Sequence, residues 1–97
     1  MNEVLRTVPA VGMHLRIARE LQAEIEIEGV KFQPGDTLEV PVDLLHHHPA
    51  YWPRPDEFYP ERFIEDPELV KAWHYMPFGG GPRNCIGEVT VLRKILK

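Results

Sequence analysis

Apolar and charged residues alternate along Ala23-Glu24-Ile25-Glu26-Ile27-Glu28, the period of two that predicts a half-buried strand. Gly29 starts a turn toward Lys31-Phe32, and Pro34-Gly35-Asp36 makes a second turn before a strand over Thr37 to Val42. Upstream, Asn2 to Thr7 reads as the end of a helix stopped by Pro9, with Pro9 to Leu15 an extended connector. Val42 to His47 is expected to form a short helix. The prolines at 49, 53, 55, 60 and 67 then restrict His48 to Pro67 to a meander with single helical turns at most. Val89, Leu92 and Leu96 recur at helical spacing, so Ile86 to Lys97 is predicted as a closing helix. The fold class this order predicts is α+β.

Composition changes that picture little. A chain of 97 residues, 43% hydrophobic and 27% charged, has enough apolar matter for one modest core. A net charge of -4 argues against a nucleic-acid partner, which calls for a basic face. No apolar run approaches the roughly 18 residues of a membrane span, and no signal peptide is expected at the start. The single cysteine excludes an internal disulfide, which fits a reducing compartment.

The chemistry concentrates in Phe78-Gly79-Gly80-Gly81-Pro82-Arg83-Asn84-Cys85-Ile86-Gly87. Glycines let a backbone take positive φ and approach a flat ligand that side chains would hold off. Backbone N–H groups aimed at a cysteine sulfur favour thiolate, as does the amino end of a following helix, and thiolate is the form that binds iron. Arg83 is a permanent cation whose forked donors suit a carboxylate such as a haem propionate. A phosphate-binding loop is the competing reading of a glycine-rich run, but no Gly-Lys-Ser/Thr ending follows. A lone cysteine is more often a small buried hydrophobe; its ten-residue surroundings favour a ligand. The run His46-His47-His48 is no zinc site by pattern, because consecutive side chains share no face.

This segment resembles the haem-binding loop of the cytochrome P450 family, Phe-x-x-Gly-x-x-x-Cys-x-Gly, with Phe78, Gly81, Cys85 and Gly87 at the specified positions. Two further motifs occur in the family's order: Glu3-Val4-Leu5-Arg6 and Pro60-Glu61-Arg62-Phe63. The resemblance runs over essentially the whole chain. It implies that residues 1–97 are the carboxyl-terminal fragment of a single haem-binding domain of mainly helical fold, with helix, small sheet, meander, cysteine loop and terminal helix in that order.

The resemblance further implies the site. Haem b is the cofactor, Cys85 its axial iron ligand, and Phe78, Gly81, Arg83 and Gly87 its cradle. Arg16 aligns with a second propionate partner, with Arg19 as fallback; Glu3, Arg6 and Arg62 would form a buried charge network that supports the loop. His46, six residues before Trp52, either reaches the haem periphery or is simply packed. Residues Pro9 to Leu15 match a stretch lining the substrate pocket. The implied reaction uses dioxygen and an electron-donating reductase to insert one oxygen atom into a small apolar organic substrate. Arg54, Arg62 or Lys71 would contribute to reductase docking or serve solubility alone. Location at the endoplasmic reticulum membrane is implied by eukaryotic members, through parts outside this chain.

Val91 and Lys94 depart from the family, which carries a small residue and a glutamate at those positions. Either the last helix is shifted by a gap or the end is an imperfect gene fragment. The alternatives to a monooxygenase fragment are a haem-thiolate isomerase or dehydratase, and a truncated product with no catalysis.

Overall fold

The structure is a computed structural model and describes residues 1–17 and 23–95. Helix α1, Asn2–Thr7, ends where Val8 leaves helical geometry ahead of Pro9, and buries Glu3, Leu5 and Arg6. Strand β1, His14–Ile17, pairs antiparallel with β4, Thr37–Val40, His14 facing Val40 and Ile17 facing Thr37. The supposed connector therefore ends in a strand, whose four residues are too few to announce a period.

Strands β2, Ile25–Ile27, and β3, Val30–Phe32, form a hairpin of their own. Glu28 and Gly29 both take positive φ, 48° and 81°, the backbone a two-residue turn needs to match strand twist. The half-buried face expected here is absent: Ile25, Ile27 and Val30 are 39%, 54% and 56% exposed. Alternation reports a face suited to burial, and nothing among the described residues covers it.

Past Pro41, α2 spans Val42–His46 and buries its first and last residues completely. The meander carries α3, Arg62–Glu65, then a 3-10 helix, Pro67–Lys71, opened by the Asp66 carboxylate accepting from the Glu68 N–H at 3.1 Å. Helix α4, Glu88–Ile95, starts two residues later than Ile86. Helices and two small antiparallel sheets together match the α+β expectation.

The core lies between α1, α2 and the meander. Leu5, Val42, Trp52 and Tyr75 are buried there, and so are Glu3, Arg6, His46 and Arg62. Trp52 is its centre, with Phe63 at 5.9 Å and Tyr75 at 6.0 Å between ring centroids, and its indole N–H donates to the Leu45 carbonyl at 3.1 Å. Aromatic rings supply apolar area while the charged groups are satisfied around them.

Candidate functional site

Tight turns hold the cysteine loop. The Gly79 N–H donates to the Met76 carbonyl at 3.0 Å, the Asn84 N–H to Gly81 at 3.1 Å, and the Cys85 N–H to Phe78 at 2.9 Å. The last bond closes the loop back on its own start. Gly79 and Gly81 have φ of 85° and 66°, so the chain reverses through conformations that other L-residues resist. A Cβ on Gly80 would stand 2.9 Å from the Trp73 ring, whereas one on Gly87 would stand 3.6 Å from the Cys85 sulfur, an ordinary contact. Phe78 is half-buried, and Gly81, Arg83 and Cys85 are exposed. Arg16 lies in β1 opposite Leu38, and Arg19 falls outside the described residues.

Three of the predicted residues converge in the core. Arg6 grips the Glu3 carboxylate with two parallel bonds, Nε to Oε2 at 2.9 Å and Nη2 to Oε1 at 2.8 Å. Arg62 Nε approaches the same carboxylate at 3.2 Å, and the Tyr59 N–H donates to Oε1 at 2.9 Å. Burial alone would raise the Glu3 pKa; the Arg6 and Tyr59 hydrogen bonds and the two positive charges overcome it, holding the carboxyl below its usual range. Both arginines spend their remaining donors on main-chain oxygens. Arg6 reaches His46, Pro55 and Glu57, while Arg62 reaches Pro53, Arg54 and Glu57. A proline-rich segment with few N–H groups of its own is thereby held by side chains.

His46, expected either at a cofactor edge or simply packed, lies inside the core. It is fully buried, stacked on Tyr75 at 5.4 Å and 26°. Its Nδ1 lies 3.2 Å from the Arg6 carbonyl, and its Nε2 accepts from the Met76 N–H at 3.0 Å. No ring nitrogen is left to meet a cofactor. Burial, with the Arg6 charge adding to it, lowers its pKa to about 4, so the ring is neutral near pH 7. The other two histidines of the run go elsewhere: His47 Nδ1 meets the Asp43 carbonyl at 2.9 Å, and His48 Nδ1 accepts from the Ala50 N–H at 3.2 Å.

The profile of the family described as Cytochrome P450 matches residues 1–89. The chain belongs to the cytochrome P450 family. Among curated relatives, Cytochrome P450 3A19 of Capra hircus aegagrus is 43% identical over 96 residues, which cover 98% of this chain and 43% of that relative. Cytochrome P450 3A16 of Mus musculus is 43% identical over 88 residues, and Cytochrome P450 3A5 of Homo sapiens 42% over 87; each alignment takes in 90% of this chain and 17% of the relative. This P450 chain thus spans less than half the length of these relatives.

The residues present fit the family's haem. Among the described residues no three His, Cys, Asp or Glu side chains converge on a point where a metal would sit. Ile86 and Val89, which follow Cys85 in the chain, are exposed apolar residues. Against Gly79 lies the His14 ring, whose buried Nε2 has no hydrogen-bond partner among the described residues.

Sequence reasoning missed three groups that hold the predicted residues: the Tyr59 N–H on Glu3, and the Met76 N–H and the Tyr75 ring on His46. Backbone donors leave no residue-type signal. Tyr75, three residues before Phe78, was available as an aromatic beside the motif.

Proposed function

We propose that residues 1–97 form the thiolate side of a haem b site, the carboxyl-terminal part of a P450-type monooxygenase domain. The observation carrying this reading is an exposed Cys85 in a loop closed by the Cys85 N–H to Phe78 carbonyl bond at 2.9 Å. Cys85 would hold the iron through its sulfur; Phe78, Gly81 and Gly87 would shape the loop that carries it, and Arg83 and Arg16 would take the propionates. Glu3, Arg6 and Arg62 support the loop from behind and touch no cofactor.

When bound, thiolate-ligated haem supplies reductive activation of dioxygen, with electron donation from sulfur favouring O–O cleavage. In the whole protein a reductase delivers the electrons, and one oxygen atom enters a small apolar organic substrate. The whole protein would act at the endoplasmic reticulum membrane. Among the described residues no helix is long and apolar enough to cross a membrane. The chain's own part is to hold the sulfur at fixed height and to keep the loop from collapsing when the ring is absent.

The test is the absorption spectrum of the chain mixed with haem, reduced and exposed to carbon monoxide, beside Cys85→Ala. A red-shifted Soret band lost in the variant supports the reading. A histidine-type band unaffected by the substitution, or no haem uptake, counts against it for this chain.

A further inference from the structure

The site proposed above gives His46 no contact with the cofactor, yet its carbonyl and both ring nitrogens are engaged. Its own carbonyl accepts from Arg6 Nη1 at 2.8 Å. Its Nδ1 faces the Arg6 carbonyl, an acceptor, so that nitrogen carries the proton. Its Nε2 then has a free lone pair, which the Met76 N–H uses. The two bonds demand one tautomer and exclude the protonated ring, because an imidazolium has no acceptor to offer Met76.

Met76 is the residue whose carbonyl receives the Gly79 N–H at the first turn of the cysteine loop. Thus one ring joins the carboxylate cluster, through Arg6, to the first bend of the loop. Tyr75 fixes the ring's plane by stacking, and Trp52 meets it edge-on at 6.3 Å and 72°. The Tyr75 hydroxyl in turn donates to the Asn2 carbonyl at 3.1 Å, returning the path to α1.

We propose that His46 is a positioning residue for the cysteine loop: its Nδ1–H tautomer anchors the Met76 N–H and so sets where the turn toward Cys85 begins. It depends on the haem-thiolate reading only for what the loop is for; the anchoring itself is present without cofactor. Asn and Gln offer acceptors of other reach, and Phe offers the ring alone, so the variants separate bonding from packing. His46→Phe keeps the stack and removes both nitrogens. His46→Gln restores an acceptor near the Nε2 position without the ring.

The experiment is nitrogen NMR and amide hydrogen exchange on the cofactor-free chain. The unaltered protein is expected to show the Nδ1–H tautomer at His46 and a coupling across the bond from the Met76 amide to Nε2. In His46→Phe the Met76 amide exchanges roughly tenfold faster, the effect of losing one buried hydrogen bond. In His46→Gln it exchanges near the original rate. An Nε2–H tautomer, or a His46→Phe chain as well protected as the original, overturns the proposal; the tautomer measurement decides even if neither variant folds. A haem titration of the same samples separates the two readings. No thiolate-type Soret band, with Met76 protection still dependent on His46, refutes the haem assignment and upholds the positioning.

Discussion

Arg6 and His46 hold each other twice: the guanidinium donates to the His46 carbonyl at 2.8 Å, and the imidazole meets the Arg6 carbonyl at 3.2 Å. This exchange locks α1 to α2 and leaves Glu3 at the end of a path that reaches the cysteine loop. Burial makes each member expensive to lose, since an unmatched charge or donor in the core has no water to turn to.

Glu3→Gln removes the one negative charge between two buried guanidiniums. The loss is expected to be about 3–5 kcal/mol, read as a fall in the urea midpoint. Arg62→Lys keeps the charge but cannot reach Glu3 and the Pro53, Arg54 and Glu57 carbonyls together. It is expected to be destabilised by a smaller amount.

Stability is expected to rise with pH from about 4 to 6.5, the folded and ordinary values for His46. A neutral buried histidine means the unfolded chain binds the extra proton in that window, so the His46 contribution is complete above 6.5 and lost as pH falls toward 4. The charged and titratable groups facing it are Arg6 on α1 and Asp43 and His47 on α2, with Tyr75 stacked against it. Glu3, whose pKa is lowered, adds a loss of the same sign at lower pH, as the carboxyl is protonated below its usual value. Unfolding midpoints across pH for the chain and His46→Phe check this: the step between 4 and 6.5 is smaller in the variant, and what remains belongs to His74, whose pKa burial also lowers.

Gly81→Ala is expected to cost about 1–2 kcal/mol through φ alone, because nothing within 4 Å of the added Cβ would be displaced. Gly81→Asn is expected to recover part of that. Gly87→Ala, whose Cβ meets the sulfur at ordinary distance, is expected to leave stability within about 0.5 kcal/mol. Thermal unfolding of the three variants orders them.

Cys85→Ser is expected to unfold within about 0.5 kcal/mol of the original, since the thiol is exposed and buries nothing. Its effect belongs in the haem spectrum. Parallel denaturation and haem titration separate these two readouts.

Helix α1 and helix α2 were legible because prolines at 9 and 41 punctuate them and each has a clear apolar partner. Glu3, Arg6 and Arg62 were legible only as a motif series; helical spacing alone says that Glu3 and Arg6 share a face, not that Arg62 joins them from 56 residues beyond Arg6. What escaped reading was carried by the main chain. The Met76 and Tyr59 N–H groups have no side-chain signature, so the role of His46 was invisible until its partners were placed. The hairpin failed differently: Ile25 and Ile27 alternate with glutamates as a covered strand does, and a sequence cannot say whether the cover lies within the same stretch of chain.

The two arginines read the meander by its oxygens. Pro53, Arg54, Pro55 and Glu57 offer carbonyls to Arg6 and Arg62, and none of these bonds depends on which side chain those residues carry. The path of residues 53–57 is thus written in two positions outside them, Arg6 and Arg62. Its surface is free to diversify, residue by residue, while its trace stays put, provided the backbone can still make the left-handed step at Arg54.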